Sequence, residues 1–411
     1  MGILIQNIKQ LAGISYKNQL LRGPALAQLK TVDDAFIIIE DGSIIDFGEM
    51  QELESNQNFD EVIDASGQTI LPTWCDSHTH LVFAASREEE FVHKLKGMSY
   101  AEIAAKGGGI LNSAAALNAM SEDALYDLAA ERLIELMQLG TGTLEIKSGY
   151  GLTVEGELKM LRVIQRLKQR APIPIKATFL GAHAYPLEYK ENHEGYMDLL
   201  IKELLPNIAL EKLADYADVF CEEGFFSVKE METICNAAAK YGLKLKLHVN
   251  QLNSMGGLQK AIELNALSVD HLETMTEEDI AALAASNTIA TLLPTAAYFL
   301  RMPFQPARQL MDAGAAIALA SDFNPGSSPS GNMNTVVSMS CIQMKMLPQE
   351  AINAATINGA YAMELQEKTG SISVGKKANL IFTKPIPSIN YIPYAFGSNV
   401  IDKVMIGGEF I

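Results

Sequence analysis

The sequence predicts an α/β protein: a (β/α)8 barrel of the TIM type with a small β-rich module built from both chain ends. Three observations lead there. The middle of the chain alternates strand-like apolar runs with longer helical stretches, the rhythm of a parallel sheet covered by helices. Eight such runs occur over roughly 300 residues, near the usual size of such a barrel. The two ends lack this rhythm and read as short strands separated by turns.

Taken in order, residues 1–65 read as short strands. Within them "FIIIEDGSIIDFG" places two apolar runs around Asp41-Gly42, a hairpin signal. The barrel runs end near His80, Tyr150, His183, Phe226, Gln251, Glu273, Pro294 and Asn324. The stretch "SEDALYDLAAERLIELMQLG" shows what lies between them: Ser121 as N-cap, an apolar face, and Gly140 as a C-cap glycine. "KGGGI" (106–110) follows a helical segment and reads as a mobile loop near the site. After the barrel, "ANLIFTKP" and "DKVMIGGEFI" return to strand texture. The expected division is therefore 1–65 with 366–411 for the module, and 66–365 for the barrel. A doubly wound sheet is the alternative, but no G-x-G-x-x-G opens the first βα turn.

Composition narrows the function. A formal net charge of −17 argues against nucleic acid or an anionic membrane as partner. An anionic substrate would need a local cation against that field. Cys75, Cys221, Cys235 and Cys341 form no C-x-x-C pair and no dense framework. No run approaches the roughly 20 apolar residues of a membrane span, and the N-terminus lacks a secretory signal. The expected location is cytoplasmic.

The chemistry collects on histidines. The chain has seven, and five of them (His78, His80, His183, His248 and His271) fall at the C-terminal ends of predicted barrel strands. In barrel enzymes that rim carries the active site. A lone His there is more often core or surface; five converging on one rim point to a site. His78 and His80 in "CDSHTH" are two apart, so on a strand they share a face. His248 in "KLKLHVNQLNS" and Asp322 in "ALASDFNPGSSP" complete a set of three imidazoles and a carboxylate. That set suits Zn or Fe and leaves room for water. His271 in "VDHLE" reads either as a second-metal ligand or as a partner for an attacked carbonyl. A two-metal site would need a bridging ligand, and the fourth run, "DYADVFCEEGFF", has no Lys to supply one. One ion is expected.

Other residues stay open at this level. Glu222 either faces the site or lies behind it. Arg87 in "FAASREEEF" either grips a substrate carboxylate or pairs with Glu88, Glu89 and Glu90. Tyr150 in "EIKSGYG" either contacts ligand or packs. The small residues of "FNPGSSP" can offer backbone N–H groups to an anion. Lys147 reads as a buried cation without a catalytic task.

Together "CDSHTH", "REEEF", "KLKGMSYAEIAAKGGGI", "EIKSGYGL", "FLGAHAYPLEY", "VFCEEGFF", "LSVDHLE" and "SDFNPGSSPSGNM" resemble the imidazolonepropionase family of the amidohydrolase superfamily. The motifs run along nearly the whole chain in family order. The resemblance implies hydrolysis of 4-imidazolone-5-propanoate to N-formimidoyl-L-glutamate in histidine degradation. It also implies one divalent or trivalent Zn or Fe ion, a β-sandwich made from both ends, and a small substrate with a carboxylate tail. It allows a homodimer. By motif, His78, His80, His248 and Asp322 resemble the metal ligands. Arg87, Tyr150 and His183 resemble substrate-binding residues, with Asn324, Gly326 and Ser327 in the substrate loop and His271 as the catalytic His. Where many members carry Glu three residues after the fifth-strand His, this chain has Gln251. An amide can contact the ring but cannot act as a base at neutral pH. The expected proton carrier is then Asp322, with His271 at the carbonyl. Two readings compete: a related cyclic amidohydrolase or deaminase for another small ring, and a non-catalytic small-molecule-binding descendant.

Overall fold

A computed structural model of the chain describes residues 2–54, 58–98 and 108–411. Lys106 and Gly107 of the expected mobile loop lie outside these residues. Gly109, at φ 86°, opens the helix that begins at Ile110.

The N-terminal strands are β1 (Gly2–Ile14), β2 (Lys30–Glu40), β3 (Ser43–Glu49), β4 (Glu61–Asp64) and β5 (Thr69–Pro72). β2 and β3 form the expected hairpin. Asp41 and Gly42 take φ of 47° and 73°, as a two-residue type I′ turn requires.

The barrel strands follow: β6 (Trp74–Asp76), β7 (Thr141–Lys147), β8 (Ile175–Ala182), β9 (Tyr216–Cys221), β10 (Lys244–Val249), β11 (Ser268–His271), β12 (Ile289–Leu292) and β13 (Ile317–Leu319). They pair in chain order, each parallel to the next. The ring closes just beyond β6 and β13, where Thr79 and Phe323 form a parallel bridge. Asp322 N–H donates to the His78 carbonyl at 3.0 Å, and His80 N–H to the Phe323 carbonyl at 2.9 Å. Closure rules out the doubly wound alternative. It also sets His78, His80 and Asp322 side by side on neighbouring segments. The helix Glu122–Gln138 shows why the covering layer forms. Ser121 Oγ accepts from Ala124 N–H, Gly140 takes φ 95°, and Leu125, Ala129, Leu133 and Leu136 are buried.

β14 (Leu380–Thr383), β15 (Ile401–Ile406) and β16 (Glu409–Phe410) rejoin the first strands. The sheet order is β16-β15-β14-β5-β1-β2-β3, with β4 also on β1. The sandwich implied by resemblance is one continuous mixed sheet that curls on itself. The β2–β3 turn meets the segment leading into β14, where Ile44 N–H donates to the Lys376 carbonyl and Ala378 N–H to that of Gly42. Both chain ends feed one core, including Ile5, Ile37, Ile70, Leu380, Phe382 and Met405. This sheet continues through β5 to Pro72, past the expected boundary at 65. Among the described residues, no helix is long and apolar enough to cross a membrane.

Candidate active site

Side chains alternate along a strand, and inward positions of most barrels are Val, Ile or Leu. This barrel is different. Glu145 and Lys147 on β7, Asp218 on β9, Lys246 and His248 on β10, and Asp270 on β11 are all buried. Lys147 Nζ donates to Glu145 Oε1 at 2.7 Å and Asp218 Oδ2 at 2.9 Å. Lys246 Nζ lies 2.9 Å from Glu145 Oε2. The buried charges are thus paired, as burial demands.

Directly above this layer sit the histidines. His78 Nδ1 lies 2.7 Å from Asp270 Oδ2, and His248 Nδ1 lies 2.8 Å from Asp218 Oδ2. An ionised carboxylate can only accept, so both Nδ1 atoms carry the proton and both Nε2 atoms keep a lone pair. His78 Nε2 is buried and has no hydrogen-bond partner among the described residues. It faces Asp322 Oδ1 at 3.4 Å, and His80 Nε2 faces the same oxygen at 3.5 Å. Burial, reinforced by neighbouring positive groups, holds His78, His80 and His248 well below the ordinary 6.5, so all three are neutral near pH 7. Lone pairs facing a carboxylate in a buried place fit a cation between them. Among the described residues, His78, His80 and Asp322 form one group of ligand atoms close enough for a metal, and His78, His248 and His271 another. The donor set fits a divalent metal ion.

His271 and Asp322 arrive by strained backbone. Their φ values are 88° and 53°, and Leu272 follows at 69°, a region non-glycine residues rarely adopt. Burial raises the Asp322 pKa to about 6, against the charge of His271 and a hydrogen bond from Ser327. Burial works against charge on His271, but the carboxylates of Glu273 and Asp322 outweigh it and bring the pKa to about 9.

Beside this cluster, where His183 stacks on His80 at 5.4 Å between ring centres, lies a cavity of about 400 Å³. Arg87, Tyr150, His183 and Gln251 line it, as do Asn324, Gly326 and Ser327 of the loop after β13. Every residue carried over as a substrate contact therefore reaches one space. Arg87 Nε donates to Ser113 Oγ at 2.8 Å, while one of its terminal nitrogens is buried without a partner among the described residues. Its nearest acid, Glu90, is 3.9 Å away, too far for a tight pair. His183 donates from Nδ1 to the Gly149 carbonyl at 3.0 Å, and burial lowers its pKa to about 4. Its Nε2 is thus an acceptor.

One expectation needs correction. The Gly326 and Ser327 N–H groups are not free for an anion, because both donate to Asn324 Oδ1 at 2.8 Å. Asn324 Nδ2 in turn donates to Ser327 Oγ and the Asp322 carbonyl. The Asn324 side chain shapes the loop, and Ser327 Oγ reaches back to Asp322 Oδ2 at 3.1 Å.

Several supporting residues escaped sequence reasoning. Glu157 accepts the N–H groups of Gly149, Gly151 and Leu152 and so holds the turn bearing Tyr150. Glu222, left open above, accepts those of Gln251, Leu252 and Asn253. It lies behind Gln251 and sets its position. Lys94 lines the cavity, its pKa lowered by burial. Lys246 carried a usable signal, since Lys244, Lys246 and His248 take every second place of β10, while Asp218 and Asp270 are single acids within short apolar strands. Glu157 carried none, since an acid in the first helical turn is ordinary.

A model of the amidohydrolase family matches residues 69–411. The fold is shared with a triazine hydrolase variant, at a TM-score of 0.75 and 16% identity over 100% of this chain and 94% of that one. An adenosine deaminase from Xanthomonas campestris with bound zinc aligns at a TM-score of 0.69 and 15% identity, covering 99% and 92%. At sequence level, an imidazolonepropionase of Flavobacterium johnsoniae is 58% identical over 412 residues, covering 100% of both chains. The chain belongs to the amidohydrolase family and, within it, to the imidazolonepropionases. It is a hydrolase of carbon–nitrogen bonds, as its motifs implied.

Proposed function

We propose that the cavity binds 4-imidazolone-5-propanoate and that the ring carbonyl–nitrogen bond is hydrolysed there to give N-formimidoyl-L-glutamate. One observation carries this. The unpartnered Nε2 of His78 and the Nε2 of His80 face one oxygen of Asp322, and the nearby cavity is lined by Arg87, which has a terminal nitrogen without a partner among the described residues. A hydrolytic centre and an anion grip thus share one small space.

His78, His80, His248 and Asp322 would hold the ion, zinc or iron. Such an ion supplies Lewis-acid polarisation of the attacked carbonyl and lowers the pKa of water. Arg87 binds the propanoate through its free donor, which fixes the ring. His183 accepts a ring N–H at Nε2, and Gln251 contacts the ring without exchanging protons. His271 donates towards the carbonyl oxygen as charge develops there. Asp322 takes the proton of the attacking water on a carboxylate oxygen and passes it to the departing ring nitrogen. The carbonyl carbon becomes the α-carboxylate of the product.

The test is an ultraviolet assay of 4-imidazolone-5-propanoate loss, run beside a panel of other cyclic amides and aminated rings. Turnover of another ring, with none of this one, would move the assignment to a sibling amidohydrolase or deaminase.

A further inference from the structure

We infer that Lys147 is a positioning residue for the metal centre: one buried ammonium clamps the two carboxylates that orient His78 and His248. Lys147 Nζ lies 2.9 Å from Asp218 Oδ2 and 3.4 Å from Asp270 Oδ2. Those same oxygens take the Nδ1 protons of His248 and His78, at 2.8 and 2.7 Å. Each oxygen is therefore shared between the lysine and one imidazole. Asp218 is further fixed by His248 N–H at its other oxygen, 3.0 Å away, and Asp270 by Ser268 Oγ at 2.6 Å. Glu145 steadies the ammonium from the far side, itself held by Thr178 Oγ1 and Lys246. The arrangement ties β7, β9 and β11 through one atom and reaches His248 of β10 through Asp218.

The physical consequence is shared orientation. A histidine ligand needs a carboxylate or carbonyl at its second nitrogen to fix tautomer and ring direction, and losing such a partner costs about 10–100-fold in metal affinity. Here two such partners touch one cation, with the charge of Lys246 adding to it at Asp270. Three carboxylates packed without Lys147 would repel one another and turn away, and both Nε2 atoms would lose their common aim. Lysine suits the place, since its compact head donates three hydrogen bonds in different directions, whereas a planar guanidinium presents a flat fork.

The inference rests on the proposed metal-ligand role of His78 and His248, so the test separates the two. Zn²⁺ affinity is measured by chelator competition on wild type, Lys147→Met and the double variant Lys147→Met/Glu145→Gln, which removes one charge of each sign and is the one read if the single variant does not fold. Secondary structure is checked by circular dichroism, and the Co²⁺-loaded absorption spectrum reports ligand geometry. Expected are tight binding by wild type, a loss of about 10–100-fold in the folded variant, and an altered Co²⁺ spectrum. Adding Asp218→Asn to the Lys147→Met background should then cost much less than in wild type, because both act through one path. Wild-type affinity and spectrum in a folded Lys147 variant would overturn the clamp. Absence of Zn²⁺ binding by wild type would instead remove the ligand assignment beneath it.

Discussion

Asp322 shows how one residue comes to do several things. It sits at the barrel seam on left-handed backbone, faces two imidazole nitrogens with one oxygen, and receives Ser327 on the other. Asp322→Ala removes both a ligand and the proton carrier, so kcat should fall by about 10²–10⁴-fold or more with an unchanged circular dichroism spectrum. Near-normal kcat would remove it from the mechanism. Arg87 makes a different prediction. If its free donor binds the tail, Arg87→Met should raise KM far more than it lowers kcat, by about 10–100-fold, the worth of a hydrogen bond to a charged group. His183 gives a pH signature. Its pKa stands near 4, against an ordinary 6.5, so the unfolded chain takes up the proton first. Its contribution to stability is therefore whole above pH 6.5 and is lost as pH falls from there through 4. Denaturant titrations should show His183→Asn with a flatter stability profile across that window than wild type, and an unchanged profile would refute the assignment.

Elements matter because His248 and His271 stand on strands while Tyr150, Gln251 and the residues after β13 stand on loops, and single acids hold two of those loops. Glu157 takes three buried backbone N–H groups of the Tyr150 turn. Leaving even one buried donor unpaired costs about 1–3 kcal/mol, so Glu157→Ala should lower thermal stability and raise KM together. A stable variant with normal KM would show the turn to be held otherwise. The loop after β13 relies on Gly326, where an added Cβ would stand 2.5 Å from a terminal nitrogen of Arg87. Gly326→Ala should push that guanidinium aside and reproduce the KM defect of Arg87→Met while leaving stability nearly unchanged. Element boundaries are where the sequence was least informative. The strand ends were placed several residues late at His80 and Asn324, because beyond β6 and β13 the two segments still run side by side, joined at the Thr79–Phe323 bridge, without continuous pairing. The eight strands themselves were legible, since each is apolar enough to stand out between amphipathic helices.

At the scale of the whole molecule, closing the ring does most of the work. It brings His78 and His80 beside Asp322, which is more than 240 positions away in sequence. The rim histidines were legible because strand-end placement needs only the period of the pattern. The ionic layer beneath them was not, because pairing partners lie on strands far apart in sequence and only the closed barrel shows that Lys147 reaches both Asp218 and Asp270. Likewise the free N–H groups expected of "FNPGSSP" were lost to Asn324, a local hydrogen bond that composition does not reveal.

The central claim is that this rim holds a metal that the reaction needs. The most direct measurement is turnover of 4-imidazolone-5-propanoate on one preparation whose metal content is determined before chelation, after it, and after metal is restored. The account predicts a single ion per chain, loss of turnover with loss of the ion, and recovery with zinc or iron. Undiminished turnover by metal-stripped protein would contradict it.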